Sequence, residues 1–154
     1  MEVLGLEHID LTVNDVARSV AFYSCVLEAL GFERFDHPAQ LASWSNGKFS
    51  ITLRPAAPEF AQASFDRYRV GLHHLALKVK ERADVDSLHS LLVAKSFPVL
   101  DPPAEYPQYG VAYYAVFFAD PDGLKLEAVH FPWGYWKRVQ AEGSDTRPRY
   151  EPAV

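Results

Sequence analysis

GLHHLALKV, Gly71–Val79, and EHIDLTV, Glu7–Val13, fall on one another when the chain is shifted against itself by 66 positions, His8 landing on His74 and Glu7 on His73. The apolar positions then coincide: Ile9, Leu11 and Val13 in one, Leu75, Leu77 and Val79 in the other. That alternation is the mark of a half-buried β-strand, and successive strand side chains point to opposite faces. Each strand is followed by a polar link and a segment of helical period. Val16, Val20, Tyr23, Leu27 and Leu30 form the first stripe, with Asn14 or Asp15 as N-cap and Gly31 as stop. The second helix spans about Arg82 to Lys95 on Val85, Leu88 and Leu92.

Further β-like segments come after each helix: Leu41–Trp44 and Lys48–Arg54, then Val111–Phe118 and Leu124–His130, with Ser45-Asn46-Gly47 and Asp120-Pro121-Asp122-Gly123 as turns. The reading is an α+β fold of two βαβββ modules forming a cupped mixed β-sheet with helices outside, a pseudo-twofold pair and not a solenoid. A single domain over 1–154 divides into module 1 at about 4–54, a linker at 55–69, module 2 at about 70–131 and a tail at 132–154. Pro98–Pro107 reads as a proline-rich loop, and Pro132–Val139, PWGYWKRV, as an aromatic segment that covers a pocket, packs on its own module or meets a second subunit.

The bulk properties exclude several functions. At 154 residues with 49% hydrophobic and 23% charged residues, the chain can bury a core without disulfides. A net charge of −5 gives no reason to expect nucleic acid or an anionic membrane as partner. The start lacks a secretory signal and no window is apolar enough to span a bilayer. The lone Cys25 excludes an internal disulfide and fits a reducing compartment, so a cytoplasmic location is expected.

With the apolar strand faces under the helices, His8, Asp10 and Thr12 share the other face of the first strand, and His74, Ala76 and Lys78 that of its counterpart. Ser50, Thr52 and Arg54 follow the same rule, as do Lys125, Glu127 and Val129. If both sheets curl around that polar face, His8, His74 and Glu127 converge. Two imidazoles and one carboxylate form the facial triad that suits Fe2+ and Mn2+ and leaves positions open for substrate. Taken singly these are ordinary strand residues; their joint placement at repeat-related positions carries the reading.

EHIDLTVNDVARSVAFY, GLHHLALKV and FFADPDGLKLEAVH also resemble the vicinal oxygen chelate superfamily over about residues 4–131, with Phe22-Tyr23, Leu30-Gly31 and the turn before Glu127 in the family's order. The superfamily includes glyoxalase I, type I extradiol dioxygenases, methylmalonyl-CoA epimerase, fosfomycin-resistance enzymes and bleomycin-binding proteins. The resemblance implies a cupped sheet around a divalent metal held by His8, His74 and Glu127. It also implies a small-molecule substrate and, often, a homodimer. Fe2+ or Mn2+ is favoured, with Zn2+, Ni2+ and Co2+ also within reach of the donor set.

Thr52 departs from the pattern. It aligns with Glu127 where glyoxalase I carries a further glutamate and the epimerase a glutamine, which favours a three-ligand, dioxygenase-like site. Asp10 stands where fosfomycin transferases typically have threonine. The leading expectation is a divalent-metal-dependent enzyme that chelates vicinal oxygens of a small molecule, its reaction a dioxygenase, lyase or isomerase one. Asp10, Arg54 and Tyr113 are the candidates for acid–base or orienting roles. The alternatives are a metal-free binding protein of the bleomycin-resistance type and a fosfomycin-modifying thiol transferase.

Overall fold

The structure, a computed structural model, describes residues 1–36, 42–61 and 63–132. Module 1 runs β1 (His8–Val13), α1 (Val16–Ala29), β2 (Glu33–Asp36), β3 (Ala42–Ser45) and β4 (Ser50–Pro55). Module 2 repeats the pattern with β5 (Leu75–Lys78), α2 (Arg82–Ala94), β6 (Val99–Glu105), β7 (Tyr114–Ala119) and β8 (Lys125–His130). Each builds a four-stranded mixed sheet, in the orders β1-β4-β3-β2 and β5-β8-β7-β6, and the two sheets are not joined into one. In both, the first strand lies parallel to the last, Asp10 opposite Thr52 in module 1 and Ala76 opposite Glu127 in module 2.

Local chemistry sets the boundaries. Asp15 is the N-cap of α1, its carboxylate accepting from the Arg18 backbone N–H at 3.0 Å. Gly31 closes that helix at φ +82°, a conformation that costs glycine little. Glu81 and Asp84 form a reciprocal capping box at the start of α2. The segment expected as a proline-rich loop instead holds β6. Pro102 and Pro103 are tolerated there because β6 is an edge strand, and its pairing with β7 slips on both sides of Asp101. The short strand β2 had no sequence signal of its own.

The apolar faces of both sheets and the inner stripes of both helices share one core. Leu11, Ile51 and Leu53 enter from module 1, and Leu77, Val116, Phe118 and Leu126 from module 2. Phe22 of α1 reaches across to Phe97 and Phe118, with ring centroids 4.9 and 6.3 Å apart. Trp44, Tyr23 and Phe22 are among the largest fully buried side chains. Burying an aromatic side chain such as Phe22 stabilises the fold by about 1.5–3 kcal/mol.

The turn before β8 does more than reverse the chain. Asp120 accepts the Tyr23 phenol O–H at 2.9 Å and the backbone N–H groups of Asp122 and Leu124 at 2.9 and 2.8 Å. Asp122 accepts the Asn14 backbone N–H at 2.8 Å and the Arg18 guanidinium at 2.6 Å. One loop of module 2 thereby clips the start of α1. Burial pushes the Tyr23 phenol well above its usual range, with the Asp120 charge adding to it. The clip and the shared core fix how the modules face one another. Since both apolar sheet faces turn inward, both polar faces turn away from the common core.

Candidate metal centre

The site builds up from β8. Alternation sends Leu126 and Ala128 into the main core and leaves Glu127 on the opposite face, beside Phe117 and Val129. Glu127 is 1% exposed. Its cross-strand neighbour is Phe117, which offers no hydrogen bond, so the carboxylate must find its partners elsewhere. The Tyr113 phenol donates to Oε1 in a short hydrogen bond. His74, one residue before β5, places Nε2 3.2 Å from Oε2. Burial raises the Glu127 carboxyl above its ordinary range, opposed by the Tyr113 hydrogen bond and the Lys125 charge. Partial burial lowers the His74 imidazole, as do the nearby Lys125 and Arg67 charges.

The donor separation fits two adjacent ligands of one ion. Donors about 2.1 Å from a divalent metal and at right angles to each other stand about 3.0 Å apart. Imidazole nitrogen and carboxylate oxygen together suit Fe2+, Mn2+ and Zn2+.

Alternation with Ala115 opposite Glu127 would set Tyr113 on the face of Glu127; Tyr113 does lie on that face, but in another register. Phe117, not Ala115, lies opposite Glu127, and Ala115 lies opposite Val129. A slip of two residues leaves the face unchanged.

His8 does not join this pair. Among the described residues no group of three His, Cys, Asp or Glu side chains is placed to hold a metal. His8 opens β1 on the other sheet, exposed and opposite Ser50. The expected convergence within the chain fails because each sheet turns its apolar face to the core it shares with the helices, so the two polar faces do not meet. Asp10 and Arg54 form an ion pair with each other, the side chains 32% and 52% exposed. Thr52, equivalent to Glu127, is buried and its hydroxyl lies 2.9 Å from that of Ser43 opposite it.

Two neighbours were underrated by the sequence reading. Lys125 lies over the Phe117 ring with Nζ 3.8 Å from the centroid, holding a positive charge beside Glu127. His73, exposed and ahead of β5, has its Nδ1 2.7 Å from Nδ1 of His74. The HH dipeptide was visible, but strand alternation assigned its members to different faces, and alternation does not hold before the strand begins. A separate cavity of about 560 Å³ runs along β5, lined by Leu30, Phe49, Ala76, Lys78, Lys80 and Leu91 among others; His8, His74 and Glu127 do not line it. The aromatic segment from Trp133 onward lies outside the described residues. Among the described residues no helix is long and apolar enough to cross a membrane.

The order of elements, the paired modules and this polar cluster point to one family, and the comparisons agree. Residues 5–128 match the model of the Glyoxalase/Bleomycin resistance protein/Dioxygenase superfamily, and the chain belongs to that family. It is 33% identical over 124 residues to the uncharacterised protein YqjT of Bacillus subtilis, covering 80% of this chain and 97% of YqjT. Among solved structures it resembles a candidate glyoxalase from Bacillus halodurans at 30% identity and a TM-score of 0.70, over 82% of this chain and 95% of that one. A glyoxylase/bleomycin resistance protein/dioxygenase domain from Frankia sp. follows at 26% identity and a TM-score of 0.68, over 84% and 98% of the two chains. The lactoylglutathione lyase of Agrobacterium tumefaciens, 20% identical with a TM-score of 0.61 over 88% of this chain and all of its own, shares the fold.

Proposed function

We propose that this chain is a divalent-metal-dependent enzyme acting on a small molecule with vicinal oxygens, its metal held by His74, Glu127 and His8. The observation that carries the reading is the buried Glu127 carboxylate with His74 Nε2 3.2 Å from one oxygen and the Tyr113 phenol on the other. A buried carboxylate is costly unless paired, and this one has two partners and a cationic neighbour, as a metal ligand requires. His8 would come from a second copy. A twofold pair that set the polar face of one module 1 against that of the other chain's module 2 would bring His8 to the His74–Glu127 pair, twice.

The bound ion, Fe2+ or Mn2+ by preference, would supply Lewis acidity or dioxygen activation. The residues do the remainder. Tyr113 orients Glu127 and, as a phenol held against that carboxylate, can pass a proton to substrate. Asp10 and Arg54 sit on the polar face of β1–β4, where the guanidinium can hold a substrate carboxylate and Asp10 steadies it or takes a proton. Thr52, closed on Ser43, leaves three protein ligands, which favours dioxygenase-like over glyoxalase I-like chemistry. Elemental analysis of untagged protein purified without chelator, beside the Glu127→Ala variant, tests the reading. A bound divalent metal lost in the variant is expected. Protein that carries no metal and takes up none at micromolar concentration would instead favour a ligand-sequestering module of the bleomycin-resistance type.

A further inference from the structure

His73 has no place in the metal triad, yet it touches the triad's central histidine. Its Nδ1 lies 2.7 Å from His74 Nδ1, with the rings nearly perpendicular at 78° and their centroids 5.0 Å apart. On its other side the Tyr68 ring packs edge-on at 6.2 Å. Two imidazole nitrogens at that distance share a single proton, so one must donate and the other accept. The direction follows from the far side of His74. Nε2 lies 3.2 Å from a carboxylate oxygen of Glu127, an atom that can only accept when the group is ionised. In the metal-free chain Nε2 therefore carries the His74 proton, Nδ1 presents its lone pair, and His73 donates from Nδ1.

A metal on Nε2 reverses this. The ligating nitrogen needs its lone pair, the proton of neutral His74 moves to Nδ1, and the partner at Nδ1 must accept. A backbone carbonyl or carboxylate could serve only that bound state. An imidazole serves both, because His73 can shift its own proton to Nε2, where the exposed ring meets water. No proton is gained or lost overall.

We propose that His73 is a positioning residue for His74, donating to its Nδ1 when the site is empty and accepting from it when Nε2 holds a divalent ion. This rests on the metal reading above, although its metal-free half stands alone. Long-range 1H–15N correlation spectra of histidine-labelled protein, with Zn2+ as the probe ion and His73→Gln and His74→Gln for assignment, separate the two. In metal-free protein His74 should be the Nε2–H tautomer and His73 the Nδ1–H tautomer, the rarer form of a free imidazole. Zn2+ should convert His74 to Nδ1–H and His73 to Nε2–H together. His73→Phe, which keeps a ring but no nitrogen, should weaken Zn2+ about 10- to 100-fold.

A metal-free His73 averaging between tautomers overturns the proposal, as does wild-type Zn2+ affinity in the Phe variant. A Zn2+ response at His74 with none at His73 removes the exchange and leaves the metal reading intact. No response at His74 removes both.

Discussion

Thr52 and Glu127 occupy the same place in the two modules, each opposite the strand position two beyond the opening histidine, and their surroundings differ in one decisive respect. Opposite Thr52 stands Ser43, and the two hydroxyls satisfy each other at 2.9 Å within the strand pair. Opposite Glu127 stands Phe117, which satisfies nothing, so the carboxylate reaches along the sheet to Tyr113 and across to His74. Module 1 has closed its polar centre on itself, and module 2 buries a carboxylate between a phenol and an imidazole. A single repeat has thus specialised by cross-strand pairing, with the fold unchanged.

The largest way to break this asymmetry is Glu127→Gln, which keeps the shape and removes the charge. A fall in divalent metal affinity of at least about 100-fold is expected, measured by calorimetric titration of Mn2+. Tyr113→Phe comes next. It spares the ligands but frees Glu127 Oε1 from its donor, and a loss of about 10- to 100-fold in the same titration would show that the phenol holds the carboxylate in place.

The closed centre should answer in stability and not in metal. Thr52→Val leaves the buried Ser43 hydroxyl without its partner at a cost of about 1–3 kcal/mol in urea unfolding, and adding Ser43→Ala should recover most of it. Tyr23→Phe should cost a similar amount, about 1–3 kcal/mol, by leaving Asp120 short of a donor, and both modules should still unfold in one transition because they share a core. The smallest effect is expected at Arg54→Ala. Its pair with Asp10 is largely exposed, and such pairs contribute about 0–1 kcal/mol, less in high salt. A change in substrate KM well beyond that would mark Arg54 as a substrate contact.

The repeat of EHIDLTV in HHLALKV was enough to place both modules, because apolar alternation and helical period are local signals. It also gave the correct face for Glu127 and Tyr113, since facing depends only on odd or even position and survives a two-residue error in register. Strand β6 was hidden because Pro102 and Pro103 mimic a loop, and only its position at the sheet edge makes them acceptable. Convergence of His8 with Glu127 was illegible for a different reason. Alternation says which side of its own sheet a residue occupies, while the Phe22–Phe97 packing and the Tyr23–Asp120 clip, made across the modules, decide how the two sheets are turned. The partnership of His73 with His74 lay beyond the strand rule, because both precede the first residue of β5.

The proposed metal site needs His8 as well as His74 and Glu127, with His8 supplied by a second copy. Mixing two chains that each lack one ligand separates a shared site from one held within a single chain. His8→Ala and Glu127→Ala should each bind no Mn2+ tightly when pure. After unfolding and refolding together in equal amounts, a twofold pair would reassemble one intact site in each mixed dimer, so about a quarter of the wild-type sites should return. Tight Mn2+ binding by pure His8→Ala, or a mixture as empty as its parts, would show that His8 of a second copy is not a ligand.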